Sequence, residues 1–228
     1  MPLHGLTVID LTRVLAGPYC AMMLGDMGAE VLKIEEPTHG DDTRAWAPFQ
    51  DGVSSFFLGM NRSKKSVTLD LKTPEGAEAL RRLIGTADVL IENFRPGSLK
   101  KLGFDYDSVR EMNPRLVFCS ITGYGQQGPK RALPGYDAVV QAESGLMHVT
   151  GHTDGPPTRV GVAITDYLAG LYAMNGILLA LRNRDETGLG QHVDVALLDA
   201  MTTALALPAN VLLAAGQELG REGNDHHM

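Results

Sequence analysis

The stretch that decides the fold opens with Leu6-Thr-Val-Ile-Asp-Leu11 and closes with Glu30-Val-Leu-Lys-Ile-Glu35. Both segments have the apolar, β-branched composition of buried strands. Between them, Gly17-Pro18 is typical of a helix start, because proline suits the first helical turn, and Gly28 is typical of a helix end. A strand, a helix and a second strand within about thirty residues predict a βαβ unit with parallel strands.

The same alternation continues along the chain. Further strands are predicted at Ser66–Leu71, Asp88–Asn93 and Leu116–Ile121. Helices are predicted at Ala77–Ile84 (preceded by a Thr73 cap), Pro96–Gly103, Tyr106–Asn113, Tyr136–Gly145, Tyr167–Arg184 and Val195–Gly216, the last with a break near Pro208. Residues 123–158, rich in glycine, proline and polar side chains, are predicted to form a functional loop around the Tyr136–Gly145 helix. Alternation of this kind predicts an α/β fold in which helices cover a parallel sheet.

Asp166 lies between a β-branched run, Arg159–Thr165, and a long, almost uncharged helical run. Junctions of strand and helix are where α/β folds bind ligands, so a carboxylate there could attack an activated acyl group. Aspartate is also a preferred helix N-cap, and spacing alone favours that structural role.

Composition limits the possible functions. Of 228 residues, 44% are hydrophobic and 21% charged, as in ordinary globular proteins, and the formal charge of -7 argues against nucleic-acid and anionic-membrane binding. The two cysteines, Cys20 and Cys119, indicate a reducing cytoplasm and have no metal-like spacing. No metal site is expected, because the pair His226-His227 lacks further ligands. The uncharged runs Tyr167–Leu181 and Ala200–Ala215 are shorter than the roughly 20 residues that a membrane span needs, which predicts buried helices.

Several common motifs do not occur in the sequence: the Gly-x-Gly-x-x-Gly dinucleotide fingerprint after the first strand, the phosphate loop, the Gly-x-Ser-x-Gly elbow and His-Glu-x-x-His. Basic residues instead recur near the ends of predicted strands, where they would suit a phosphate-bearing ligand or would simply be solvated. They are Arg13, Arg44, Arg62, Lys64, Lys65, Lys72, Arg95 and Lys101.

Ordered matches along the whole chain resemble the family III CoA-transferases, also called the CaiB/BaiF family. The matching segments are Leu6–Pro18, Gly28–Glu35, Asn61–Ser66, Leu69–Lys72, Glu92–Gly97, Thr122–Gln126 and the stretch around Asp166. The resemblance implies a Rossmann-like, CoA-binding and catalytic large domain over residues 1–200, with long buried helices after residue 166. Residues 201–228 would be a helix and polar linker leading toward a second domain absent from this chain. It further implies a cytoplasmic, interlinked homodimer with no permanently bound cofactor and with coenzyme A or acyl-CoA as substrate.

The resemblance also implies residue roles. Asp166 matches the catalytic carboxylate, and positions where family members contact CoA are Arg13, Val14, Leu69, Lys72, Asn93, Phe94, Arg95, Lys101, Leu102 and Tyr124. Asp41–Arg44 and Ser144–Gly151 are most similar to members that use succinyl-CoA or glutaryl-CoA with a dicarboxylate. With an ordinary pKa of about 3.9, Asp166 would be an anion at neutral pH. It would form an acyl-aspartyl anhydride. The CoA thiolate would then return to form an aspartyl-CoA thioester, or the acceptor carboxylate would enter first. A glycine-rich loop that shields the anhydride in the family would lie beyond residue 228.

Two alternatives remain open. The α-methylacyl-CoA racemases share the fold but use the histidine of a Gly-His-Asp sequence, where this chain has Gly135-Tyr136-Asp137. Tyrosine, with a pKa near 10, is a poor proton shuttle at neutral pH. The second alternative is an inactive CoA-binding fragment that lacks the C-terminal region.

Overall fold

A six-stranded parallel sheet forms the centre of the computed structural model, which describes residues 1–225. Its strands are β1 (Thr7–Asp10), β2 (Glu30–Glu35), β5 (Lys64–Thr68), β6 (Val89–Glu92), β7 (Val117–Thr122) and β8 (His192–Ala196), and β3 (Phe49–Gln50) with β4 (Val53–Ser54) makes a separate hairpin. The order across the sheet is β5-β2-β1-β6-β7-β8. Numbered along the chain this is 3-2-1-4-5-6, the Rossmann order. The predicted Rossmann-like sheet is confirmed.

Helices cover both faces of the sheet. They are α1 (Ala16–Asp26), α2 (Ser55–Asn61), α3 (Pro74–Thr86), α4 (Tyr106–Met112), α5 (Asp137–Glu143), α6 (Leu146–Val149), α7 (Ile164–Thr187), α8 (Leu197–Ala204) and α9 (Ala206–Ala215), with 3-10 helices at Asp42–Ala45 and Lys100–Leu102. Alternate strand residues point to opposite faces, so Val8 packs with α1, α7 and α8 while Ile9 packs with α3 and α4. The sheet therefore separates two apolar clusters.

Two buried ion pairs brace the carboxyl end of β1. Lys64 Nζ lies 2.8 Å from Asp10 Oδ2, and Lys33 Nζ lies 2.8 Å from Asp41 Oδ2 and donates to Thr12 O at 2.9 Å. All four charged side chains are at most 2% exposed. Buried charges of this kind persist only when paired, so the turn that follows β1 is strongly fixed.

Three predicted elements differ from the structure. The predicted helix over Val195–Gly216 is wrong at its start, because His192–Ala196 pairs with β7 as strand β8. Its break falls at Leu205, between α8 and α9, not at Pro208. The predicted helix at Pro96–Gly103 is only a 3-10 turn, which ends at Gly103 with a left-handed φ of 76°. The strand predicted at Ser66–Leu71 is observed as β5, Lys64–Thr68, so it begins and ends earlier than predicted.

The helices after residue 166 are not all buried. In α7, Ala169, Ala173 and Ile177 are fully buried, whereas α9 has no buried residue and Leu213 is 84% exposed. The expectation of buried helices is thus wrong for α9. The predicted domain boundary at residue 200 falls inside α8, and the division into domain and linker stays a prediction.

By length and composition alone, α7 passes the test for a membrane-crossing helix within residues 1–225, as does the bent pair α8 and α9 taken together. The uncharged run Tyr167–Leu181, which is shorter than a membrane span, is part of this 24-residue helix. Since α7 packs on α1, α8, β7 and β8, its apolar face has partners within this domain.

Candidate active site

The sheet order reverses between β1 and β6, and the segments that follow these strands meet there. Asn93 spans the gap with its side-chain amide: Arg13 N donates to Asn93 Oδ1 at 2.9 Å, and Asn93 Nδ2 donates to Arg13 O at 2.8 Å. The Arg13 guanidinium carbon lies 6.0 Å from the Phe94 ring centroid. Such a reversal point at the carboxyl ends of the strands is where doubly wound folds bind ligands.

Val14, next to this bridge, has a positive φ of 70°. A β-branched residue rarely adopts this conformation, which costs on the order of 1–3 kcal/mol. The turn is nevertheless held, because Asn93 binds the backbone on one side and Val14 N donates to Asp41 Oδ1 at 3.4 Å on the other. The strained residue is therefore a fixed part of the turn that leads into α1.

Asp166 lies in the first turn of α7, whose N-cap is Ala163. The N-cap interpretation of Asp166 is therefore wrong, and so is the strand expected before it, since residues 156–163 form neither strand nor helix. The start of α7 packs on the start of α1: the Tyr167 and Tyr19 rings are 5.0 Å apart, edge to face. A Cβ on Gly170 would lie 2.8 Å from Ala16 O, so glycine is required for this approach. Asp166 lies one turn before Gly170 on this helix and next to Tyr167.

The Asp166 carboxylate is partly buried and has no hydrogen bond or ion pair within residues 1–225. Loss of solvation, and secondly the nearby negative charge of Asp137, raise the pKa of Asp166 to about 7. The expectation that Asp166 is fully ionised at neutral pH is corrected: its anion and acid coexist there. The higher pKa also makes the anion a stronger nucleophile than an ordinary aspartate.

A buried amide and a second aspartate organise the segment before α7. Asp137 Oδ1 accepts hydrogen bonds from Thr165 N at 2.9 Å and Thr165 Oγ1 at 2.8 Å, so Asp137 serves the start of α7 from α5. Gln141 is fully buried; its Nε2 donates to Asp137 Oδ2 at 2.7 Å and its Oε1 accepts from Val160 N at 2.8 Å. Sequence reasoning noticed Asp137 only beside Tyr136 and missed Gln141 altogether.

The positions expected to contact CoA follow successive strands along one edge of the sheet: Leu69 and Lys72 after β5, Arg13 and Val14 after β1, Asn93, Phe94 and Arg95 after β6, Lys101 and Leu102 further along the β6–α4 connection, and Tyr124 after β7. Leu69, Phe94 and Leu102 pack partly buried against the α3/α4 cluster. Asn93 also has a structural role, because both ends of its amide bind the Arg13 backbone. Its contact with CoA stays a prediction.

The basic residues near strand ends divide into two groups. Four form ion pairs: Arg44 with Glu35, Arg62 with Asp26, Lys64 with Asp10 and Lys65 with Glu30. The other four, Arg13, Lys72, Arg95 and Lys101, have no carboxylate partner within residues 1–225. In the described part of the chain, a phosphate would have no carboxylate to displace from the cations of this second group.

Tyr124 begins a loop that is closed at its base by two glycines. A Cβ on Gly123 would lie 2.5 Å from the Gly135 Cα, so the two backbones touch. Lys130, from the loop, lies 5.5 Å from the Tyr124 ring centroid and 2.7 Å from Glu143. Residues 124–134 therefore leave and rejoin the fold at one point.

A polar cavity of about 390 Å³ opens on the α3/α4 side of the sheet, away from α7. Ser120 Oγ lies 3.0 Å from His192 Nε2, and burial raises the pKa of the neighbouring Glu92 to about 7. Sequence reasoning missed this group. In the described part of the chain, no three His, Cys, Asp or Glu side chains are grouped to hold a metal ion. The pair His226-His227 lies outside the described residues.

Comparison with known proteins decides the family. The family model described as CoA-transferase family III matches residues 3–228. The chain belongs to this family. The resemblance seen in its motifs is confirmed.

Named relatives share nearly the whole chain. Succinate--glutarate CoA-transferase of Agrobacterium fabrum is 48% identical, and succinyl-CoA:glutarate CoA-transferase of Mus musculus is 46% identical, each over 99% of this chain. The chain covers 58% and 52% of their lengths. A crystal structure of a CaiB/BaiF family protein from Brucella suis is 46% identical with a TM-score of 0.96, over 99% of this chain and 61% of that one.

Proposed function

We propose that this chain acts in the transfer of CoA from an acyl-CoA, with succinyl-CoA as the first candidate, to a dicarboxylic acid, and that Asp166 is the nucleophile. The observation that carries the proposal is the partly buried Asp166 carboxylate, which has no hydrogen bond or ion pair within residues 1–225 and lies in the first turn of α7, the helix that packs on α1. The names of the glutarate-using relatives support a dicarboxylate acceptor.

The chemistry follows from a carboxylate with a raised pKa. The Asp166 anion attacks the thioester carbonyl, CoA leaves as its thiolate, and an acyl-aspartyl anhydride forms. The thiolate then attacks the aspartyl carbonyl of the anhydride, which releases the first acid and leaves an aspartyl-CoA thioester. The acceptor carboxylate attacks the aspartyl carbonyl of this thioester, which expels the CoA thiolate and forms a second anhydride, between Asp166 and the acceptor acid. The thiolate then attacks the acceptor's carbonyl in this anhydride, which releases the Asp166 carboxylate and yields the new acyl-CoA.

CoA would be held along the carboxyl edge of the sheet. The side chains of Arg13, Lys72, Arg95 and Lys101 would pair with its phosphates, because they are the strand-end cations that form no ion pair within residues 1–225. Leu69, Phe94 and Leu102 would offer apolar surface to the cofactor, since each is only partly buried. The proposal also includes that the protein is a homodimer and that it is cytoplasmic.

No observation favours the racemase alternative. The position of the racemase histidine holds Tyr136, whose side chain is 68% exposed, so it does not share the environment of Asp166. The following test distinguishes the proposed reaction from the alternative, in which the chain binds CoA without reacting.

The test is the mass of the intact protein after mixing with succinyl-CoA and quenching with hydroxylamine or borohydride. An adduct on Asp166 is expected in the wild type and not in Asp166→Ala. Because the anion is the nucleophile and the pKa of Asp166 is about 7, the rate of adduct formation should rise as pH increases from 6 to 8. Glutaryl-CoA and acetyl-CoA in parallel reactions test the donor. CoA binding without any adduct across this panel would contradict the proposal in favour of a CoA-binding fragment.

A further inference from the structure

The segment that carries the candidate nucleophile into place has few backbone partners of its own. Residues 156–163 belong to no strand or helix, yet they lead directly into α7 and Asp166. Val160 N and Val162 O both bind one side chain, that of Gln141, at 2.8 Å and 3.3 Å. Gln141 thus replaces the strand neighbour that this segment lacks.

The same amide is also bound to Asp137. Gln141 Nε2 donates to Asp137 Oδ2 at 2.7 Å, while Asp137 Oδ1 accepts from Thr165 N and Oγ1. Thr165 adjoins Asp166 and is fully buried. One continuous set of hydrogen bonds therefore runs from Gln141 through Asp137 to the first turn of α7.

We propose that Gln141 is a positioning residue for Asp166: its buried amide fixes the 160–165 segment and the Asp137 carboxylate, and so sets the shielded environment of the nucleophile. The inference rests on the proposed function of Asp166, since it concerns the same carboxylate. Asp137 is the charged group of the described residues whose field acts on Asp166. Without Gln141, the segment would loosen and water would reach the carboxylate.

The geometry allows a test by exchange of donor and acceptor. Gln141→Glu alone would set two carboxylates against each other where the Nε2 to Oδ2 bond now lies. In the double variant Asp137→Asn/Gln141→Glu, the asparagine Nδ2 would donate to the glutamate, which would still accept from Val160 N. The asparagine Oδ1 would still accept from Thr165. Only the 3.3 Å bond to Val162 O would be lost.

The measurement is the titration of Asp166 in protein labelled with ¹³C at the aspartate carboxyl carbon, with Asp166→Asn to assign its signal. In wild type the pKa of Asp166 should be raised, near 7. In Gln141→Leu it should fall toward the usual aspartate range, and exchange of the Val160 and Thr165 amide protons should speed up about tenfold or more. Gln191→Leu, the same change at an exposed position, should titrate as wild type.

The exchanged pair decides the result even where Gln141→Leu does not fold. In Asp137→Asn/Gln141→Glu the Val160 and Thr165 amide protons should exchange as slowly as in wild type, and in Gln141→Glu alone they should exchange faster. A double variant whose amide protons exchange like those of Gln141→Glu, or a folded Gln141→Leu whose Asp166 titrates like wild type, would overturn the inference. The titration uses no acyl-CoA, so failure of wild type to form an adduct would count against the proposed function alone.

Discussion

At the scale of single residues, Asp166 is held in surroundings that oppose its ionisation. Its carboxylate is partly buried, has no hydrogen bond within residues 1–225, and lies near the charge of Asp137. The ionised form of Asp166 therefore lowers the stability of the folded protein, because no neighbouring group among the described residues stabilises its charge. A cost of this kind is common where function requires a poorly stabilised group.

Replacing Asp166 by asparagine should stabilise the protein, and more so at high pH. Below about pH 4, the carboxyl is protonated in both folded and unfolded states. Between there and pH 7 the unfolded state ionises first, so the wild type loses stability as pH rises, and above pH 7 the loss is complete. We expect Asp166→Asn to exceed wild type in free energy of unfolding by about 2 kcal/mol at pH 8 and by less than about 1 kcal/mol at pH 5.

Urea denaturation at the two pH values measures this difference. Asp185→Asn, which changes an exposed aspartate of the same helix, is the matched control for the loss of one carboxylate. An Asp166→Asn protein no more stable than wild type at pH 8 would show that Asp166 is better solvated than the structure indicates.

Asn93 offers a second test at this scale. Asn93→Leu removes both hydrogen bonds to the Arg13 backbone and should cost about 2 kcal/mol, at roughly 1 kcal/mol for each bond. CoA affinity, followed by calorimetry, should fall as well, because the Val14 turn loses one of its two anchors. Asn93→Asp keeps the acceptor but not the donor, so its stability should lie between those of Asn93→Leu and wild type. Equal stability of all three would contradict a role for the amide bridge.

At the scale of helices and strands, the sequence pattern predicts those elements that interactions between nearby residues determine. Strand Glu30–Glu35 was predicted with its observed bounds, and the Thr73 cap is present, since Thr73 Oγ1 accepts from Gly76 N at 3.1 Å. Strand β8 was missed because it runs into α8 without any turn residue between Ala196 and Leu197. The strand expected before Asp166 is absent for another reason. The backbone of Val160 binds the side chain of Gln141, 19 residues away, and no local sequence pattern reveals such a partner.

The packing of α7 on α1 gives a prediction for whole helices. Gly170→Ala would place Cβ 2.8 Å from Ala16 O and should destabilise the protein by about 1–3 kcal/mol, because backbone must move to admit it. In α3, Gly85 has no heavy atom within 4 Å of an added Cβ, so Gly85→Ala should stabilise by up to about 1 kcal/mol through helix propensity. Thermal or urea denaturation of both variants provides the comparison. A Gly170→Ala protein at least as stable as wild type would refute the close contact of α7 with α1.

At the scale of the whole molecule, the sequence could predict that the carboxyl ends of parallel strands gather at one edge the positions expected to contact CoA. It could not predict which cations are free, because Arg44 and Arg62 acquire carboxylate partners only through folding. Likewise, the sequence could not predict that the amide of Asn93 binds the backbone of Arg13, 80 residues away. What the sequence lacked were these partners from distant parts of the chain.

The division of the cations predicts how CoA affinity should respond to loss of charge. Replacing Arg13, Lys72, Arg95 or Lys101 singly by glutamine should weaken CoA binding about three- to tenfold in calorimetry, and less at high salt. Lys65→Gln, which removes a cation paired with Glu30, should leave the affinity unchanged. Calorimetry with 3′-dephospho-CoA in place of CoA shows which cation binds the 3′-phosphate, because removing that cation should not weaken the binding of this analogue. Equal losses in Lys65→Gln and in the four variants would mean that the response reflects only overall charge.

The contact between Gly123 and Gly135 has a consequence for how this architecture can vary. Because the two backbones touch, residues 124–134 form a nearly closed loop, which is also tied to β8 by the Gln126 N to Asp194 Oδ2 hydrogen bond and to α5 by the Lys130–Glu143 ion pair. The free energy of closing such a loop rises only slowly with its length. Extra residues inserted near Gly128 should therefore lengthen the loop without shifting Asp137 or Asp166. Evolution can change the size of this loop while the two ends that join it to the fold stay in place.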